Sequence, residues 1–174
     1  MIDKTENNQF LFLPIGPEHL KTYFISHLDR IYCAKSHLLE RLPEIIDYAH
    51  FNDLKHAIAE TMDDVEKQII RMEAIYILLN AEPSVESCQG LIGTLEDAFT
   101  AIHQQSENSE LRDLTILFYL TNIKSTEMAS FQVLQMAAVK LKNKEISQLL
   151  KENFDEARAD RMLLLLITSN YITN

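Results

Sequence analysis

Apolar side chains recur at three- and four-residue steps along most of the chain, the period of an α-helix that buries one face. From Pro17, a residue suited to a helical first turn, the stripe runs Leu20, Phe24, Leu28, Ile31, Lys35, Leu38, Leu42 and Ile45. Pro43 falls inside this stripe and is expected to kink or restart the helix. Asn52 is placed to cap a second helix, whose stripe is Leu54, Ile58, Met62, Val65, Ile69, Met72, Tyr76 and Leu79. "NAEPSVES" then breaks the pattern. A shorter helix is expected over roughly 88–104, carrying Leu91, Leu95, Phe99 and Ile102, before the polar loop "QQSENSE". A fourth helix is expected from about 110 to 141. Asn143 marks a tight stop, and a fifth helix is expected from about 144 to 171.

Four of the five helices are long. At about 1.5 Å per residue each spans roughly 40–50 Å. Long amphipathic helices of matched length imply an all-α antiparallel bundle, with the short helix bridging two hairpins. The expected organisation is an N-terminal arm over residues 1–16, containing the apolar "QFLFLPIGP", and a single helical-bundle domain over 17–172. The arm is expected to lie over its own bundle, with a second copy of the chain as the alternative surface.

Several polar residues fall on rows that should be buried. Lys124 shares a row with Leu117, Thr121, Met128, Phe131 and Ala138. Lys35 interrupts the first stripe. Thr61, Asp64 and Gln68 flank the second, and Glu127 accompanies Lys124 on the fourth helix. Asn153, Glu156 and Asp160 lie between the leucine pairs of the fifth. All are near mid-helix, and mid-helix positions of an antiparallel bundle meet in one layer, so a central polar cluster is expected. The competing reading at each position is a lysine that snorkels to water or an acid on a solvated flank. Charges that are buried must pair or hold a metal, because a lone one costs several kcal/mol.

Bundles that hold two metal ions use glutamates and Glu-x-x-His from facing helices. No Glu-x-x-His occurs at mid-helix here. Asp47/His50 and Asp53/His56 have the Asp-x-x-His spacing, but both lie at the junction of the first two helices and read as chance. His19, His27, His37 and His103 are scattered.

Composition narrows the function classes. The 174 residues are 47% hydrophobic and 24% charged, with 3 Gly, 4 Pro and no Trp, too few turn residues for an all-β chain. A formal net charge of −10 disfavours nucleic acid and anionic membrane surfaces as partners. The longest apolar run, "MLLLLI" at 162–167, is far too short to span a bilayer. The first residues lack a basic n-region, so the cytoplasm is the expected location. Cys33 and Cys88 have no metal or CxxC spacing and are expected to be reduced core residues. No nucleophile elbow or phosphate loop is present, and no small-molecule substrate is identifiable.

Residues 18–167 resemble the YciE/YciF-type ferritin-like proteins, a bacterial family of uncertain function linked to stress responses. The likeness lies in the order and spacing of "HLDRIYCAKSHLLERLP", "DLKHAIAETMDDVEKQIIRMEAIYILL", "CQGLIG", "LRDLTILFYLTNIKSTEMASF" and "LLKENFDEAR". The resemblance implies a ferritin-like four-helix bundle with an additional shorter crossover helix, and a carboxylate–histidine di-metal centre. Carried over by position, that centre is degraded. Lys35 and Lys124 stand where glutamates are expected, and Thr61 and Ser125 where histidines are expected. Asp64, Glu127 and Glu156 remain as acidic candidates, with Glu60 nearby. An ammonium only donates hydrogen bonds, so the expected replacement is a salt-bridge cluster of the two lysines with Asp64, Glu127 and Glu156. The functional expectation is a non-catalytic, stress-associated bundle without a metal cofactor, forming a homodimer. The alternative is a carboxylate protein that still binds Fe, Mn or Zn and supports oxygen or peroxide chemistry.

Overall fold

The structure, a computed structural model, describes residues 15–84 and 88–173. Five helices follow one another: α1 (Pro17–Tyr48), α2 (Asn52–Leu79), α3 (Gln89–His103), α4 (Ser109–Leu141) and α5 (Lys144–Thr173). The described residues contain no strand. The arm expected over 1–16 lies outside the described residues except for Ile15 and Gly16, which precede α1.

The chain makes an all-α helical bundle. α1 packs on α2 and α4, α5 packs on the same two helices, and α3 lies across α1 and α4. Neighbours run antiparallel. In α1 and α2, Tyr32 meets Glu73 while Asp29 meets Tyr76. In α4 and α5, Lys124 meets Asp160 while Gln135 meets the Leu150 carbonyl. Shape follows from the stripes. The buried row of α4 is Asp113, Leu117, Leu120, Lys124, Glu127, Phe131, Leu134 and Ala138. That of α5 is Ile146, Leu150, Asn153, Ala157, Asp160, Leu164 and Ile167. Both advance in alternating steps of three and four, the heptad seam of bundle packing.

Helix ends correct two expectations and match a third, the stop at Asn143 between α4 and α5. α1 continues through Pro43 without restarting, because Pro43 is exposed one turn and a half before the end. Asn52 does not cap α2, whose N-cap is Phe51, with no side-chain cap. Instead Asp113, fully buried near the start of α4, accepts the backbone N–H groups of His50 (2.9 and 2.8 Å) and Phe51 (2.6 Å). At the α4–α5 turn the left-handed residue is Lys142, with φ 55°, and Asn143 accepts from Glu145 and Ile146 to start α5.

The expectation of two reduced cysteines is overturned. Cys33 of α1 and Cys88, just before α3, form a disulfide with Cα atoms 6.1 Å apart. They are 55 residues apart in sequence, and only the return of α3 alongside α1 brings them together. The cysteines therefore lend no support to a reducing compartment. No helix among the described residues is long and apolar enough to cross a membrane.

The core has two apolar halves. One gathers Leu38, Leu42, Ile45, Leu54, Ile58, Phe99, Ile116, Leu117 and Leu164 at the α3 end. The other gathers Phe24, Leu28, Met72, Tyr76, Phe131, Leu134, Ile146 and Leu150. Between them lies a layer of polar side chains.

Candidate functional site

That layer is built from the middle of all four long helices. On α1, Lys35 occupies a stripe position between Ile31 and Leu38 and is 1% exposed. Its Nζ lies 2.7 Å from Glu127 Oε2 and 5.6 Å from the centre of the Phe131 ring. On α4, Lys124 is 0% exposed and one turn before Glu127. Its Nζ lies 3.3 Å from Glu127 Oε2 and 2.9 Å from Asp160 Oδ2 on α5. Glu127 and Asp160 are 3% and 5% exposed. Two ammonium groups thus face two carboxylates in a sealed layer, and their formal charges cancel.

The electrostatics are uneven. Burial pushes Lys35 down to about 8, and the like charge of Lys124 adds to this against the pull of Glu127. Lys124 also loses its water, but Glu127 and Asp160 together outweigh that and hold its ammonium above the usual range. Glu127 is buried too, yet Lys124 and Lys35 keep its carboxyl below the usual carboxylate range. Asp160 moves the other way. Burial raises it, and the nearby carboxylates of Asp64 and Glu127 add to the rise, against Lys124. Lys124 is therefore the hub: it touches both carboxylates and stabilises both as anions.

A second polar group borders the first, on α2 and α5. Arg71 donates to both oxygens of Glu156, each at 2.7 Å, the bidentate fork that favours arginine over lysine. Gln68 Nε2 donates to Glu156 at 3.2 Å, and Asn153 Nδ2 donates to the Gln68 carbonyl at 3.2 Å. Arg161 donates to Ser125 Oγ at 2.7 Å, and Ser125 donates in turn to the Thr121 carbonyl. A cavity of about 70 Å³ lies between α1, α3 and α4, bordered by Lys35 and Glu127 and walled by Leu91, Leu95, Ala98 and Ile123.

The structure pairs Lys35 and Lys124 with Glu127, while the other acidic candidates pair elsewhere or are exposed, Asp64 coming near enough to Asp160 to raise its carboxyl. Glu156 is taken by Arg71. Asp64 pairs with Lys67 of its own helix at 2.8 Å, and Glu60 is exposed. The α5 carboxylate that meets Lys124 is Asp160, one turn beyond Glu156. The signal for this was in the sequence: Asp160 shares the three-and-four row of Leu150, Asn153, Ala157 and Leu164, whereas Glu156 is one position off it. Thr61 is buried and Ser125 half-buried. Two further polar anchors have no counterpart in the sequence reading. They are Asp113 at the α1–α2 corner and Asp29, which accepts from the Tyr76 hydroxyl at 2.7 Å. Burial and that bond raise the Tyr76 phenol far above its ordinary value.

A carboxylate–histidine metal centre does not fit this donor set. Protonated lysines cannot ligate, and each carboxylate oxygen facing them is already engaged. Among the described residues, no three His, Cys, Asp or Glu side chains converge in a group able to hold a metal ion.

Comparison with known proteins agrees with the fold. The chain is similar to protein YciF of Escherichia coli strain K12, with 23% identity over 157 residues, covering 88% of this chain and 92% of YciF. The crystal structure of the Escherichia coli stress protein YciF superposes with a TM-score of 0.83 at 22% identity, over 89% of this chain and 98% of that one. YcfI of Rhodopseudomonas palustris superposes with a TM-score of 0.79 at 23% identity, over 84% and 92% of the respective chains. A family model described as a domain of unknown function, DUF892, matches residues 19–173, and the chain belongs to that family.

Proposed function

We propose that the chain is a non-catalytic, ferritin-like helical scaffold of a stress-associated kind, self-associating as a homodimer, in which a lysine–carboxylate cluster occupies the place of a di-metal centre. One observation carries the reading. The Lys124 ammonium stands 2.9 and 3.3 Å from the two buried carboxylates, Asp160 and Glu127, and supplies the positive charge that metal ions would otherwise supply. The charge balance of the layer, two ammonium groups against two carboxylates, supports the reading. The stress association rests on the likeness to YciF, which is described as a stress protein.

The test is elemental analysis of the protein purified without chelator. The expected result is iron, manganese and zinc each well below one ion per chain. Near-stoichiometric metal would overturn the proposal in favour of a carboxylate protein using Asp64, Glu127, Glu156 and Glu60. A companion variant, Lys35→Glu, Thr61→His, Lys124→Glu and Ser125→His together, is expected to gain metal binding. Its gain would show that the missing ligands, and not the fold, set the behaviour of the parent.

A further inference from the structure

α1 and α4 leave a groove between them where α3 begins. Its volume is about 340 Å³, within the range of small-molecule sites. Tyr23, Ile31, Leu91 and Val133 make it largely apolar, and His27 and Arg30 line it from α1. The groove adjoins the cavity of about 70 Å³ beside Lys35, because Ile31 and Leu91 border both. Together they form one path along α1, open at Tyr23 and narrow toward Leu38.

Charge sets one half of the chemistry of an occupant. The chain has a net charge of −10, yet no acidic residue lines the groove. Asp29, next to Arg30 in sequence, turns to the other side of α1, where it accepts from the Tyr76 hydroxyl. Arg30 is exposed, and among the described residues it pairs with no carboxylate. Arg41 and Arg71, by contrast, are each held by two glutamates. His27 Nδ1 lies 2.9 Å from the Tyr23 carbonyl, which can only accept, so that nitrogen carries the proton and Nε2 stays outside the bond. The positive end of the α3 dipole opens at the same place, since Leu91 of its first turn lines the groove. An unpaired guanidinium fits a carboxylate in bidentate geometry.

Shape sets the other half. The cavity that continues the groove has less than half the volume of about 150 Å³ that holds benzene, so it admits a linear chain and not a ring. From Arg30 to Leu38 is about 12 Å along α1. An extended alkyl chain covers that with about nine carbons, at roughly 1.3 Å each for bonds of about 1.5 Å. It would pass Ile31 and Leu91 and end against Leu95, Ala98 and Ile123. The charges of Lys35, Lys124, Glu127 and Asp160 beside the cavity already cancel. Only Arg30, at the open end, offers an unbalanced positive charge, so an anionic head lies there and the chain points inward.

We propose that the α1–α4 groove binds a medium-chain aliphatic carboxylate, with its head on Arg30 and its chain running past Ile31 and Leu91 into the cavity beside Lys35. The site goes beyond the scaffold reading and does not depend on it. The test is isothermal titration calorimetry of the full chain with octanoate. Saturable binding of one octanoate per chain is expected. Butanoate, four methylenes shorter, is expected to bind at least about tenfold more weakly. So is 1-octanol, which keeps the chain and lacks the charge. Arg30→Gln is expected to weaken octanoate at least about tenfold, while Arg158→Gln, also exposed but on α5, leaves it unchanged. Ala98→Leu narrows the cavity and is expected to weaken octanoate more than hexanoate. Arg30 lies on the surface, so its variant keeps the test valid should Ala98→Leu fail to fold. Octanoate that does not saturate, octanoate and 1-octanol that bind equally, or binding undiminished by Arg30→Gln would overturn the site. An Ala98→Leu protein that folds and keeps the wild-type chain preference would overturn the path assigned to the chain.

Discussion

Replacing Lys124 by Met exchanges one long side chain for another of similar shape and removes a single positive charge from a layer where four charges cancel. The variant leaves Glu127 paired with Lys35 and takes from the buried Asp160 the ammonium that it pairs with. At an effective dielectric of about 20, the attractions lost are about 6 kcal/mol to Asp160 and about 5 kcal/mol to Glu127 before solvation is counted. Dehydrating the ammonium offsets much of this, and burying Met in its place returns about 1.5–3 kcal/mol. The expected net loss is about 3–5 kcal/mol, the usual result of orphaning one partner of a buried pair. That is a large share of the roughly 5–15 kcal/mol by which domains are stable. Urea unfolding followed by circular dichroism measures it. The loss should also depend on pH. Asp160 is already raised, and without Lys124 nothing on α4 opposes that rise. The folded variant then binds a proton that the unfolded chain releases, so its deficit should narrow as the pH falls from 7 toward 5. A double variant, Lys124→Met with Asp160→Leu, leaves the matched Lys35–Glu127 pair and should recover to within about 2 kcal/mol of wild type. A single variant as stable as wild type at pH 7, or a double variant no better than the single, would refute the assignment of Lys124 as the hub.

Three other outcomes are expected. Asp113→Ala should cost about 2–3 kcal/mol by urea unfolding, because two backbone N–H groups at the start of α2 lose a charged acceptor, and Asp113→Asn should cost less. Reducing Cys33–Cys88, or replacing Cys88 by Ser, should lower stability by about 4 kcal/mol, the loop-closure entropy for a separation of 55 residues; equal urea midpoints with and without reductant would count against the tether. Lys35 titrates at about 8 in the fold, below the ordinary 10.5. Between those values the unfolded chain holds the proton that the folded chain has lost, so this group adds stability as the pH rises from about 8 to 10. Wild type should therefore gain on Lys35→Met across that window, and a flat difference would contradict it.

The bundle was legible in the sequence because helices of this length repeat their stripe many times, so a few misplaced residues do not hide the period. The site was legible to about one helical turn. Lys35, Lys124 and Glu127 interrupt stripes strongly enough to be seen as buried. Choosing between Glu156 and Asp160 needed a phase correct to one residue, and the run of leucines after residue 162 blurs that phase. Features that depend on residues meeting across the fold were not legible. Nothing near Cys33 points to Cys88, and nothing near His50 points to Asp113. In each case the partner lies more than fifty residues away, and its place is set by how a connection turns.

The polar layer also constrains how the helices can be aligned. On either side of it the seams of α4 and α5 carry Leu, Ile, Ala and Phe in the same three-and-four rhythm, so hydrophobic packing alone tolerates a shift by one repeat. Sliding α4 by a single turn, about 5.4 Å, would carry Lys124 away from Asp160 and press its charge against leucines of the neighbouring helices. The aligned arrangement is the one that leaves no charge stranded. The cluster then serves as an index mark: it adds little to the depth of the folded minimum but removes the competing minima on either side, as single polar residues do in coiled-coil seams.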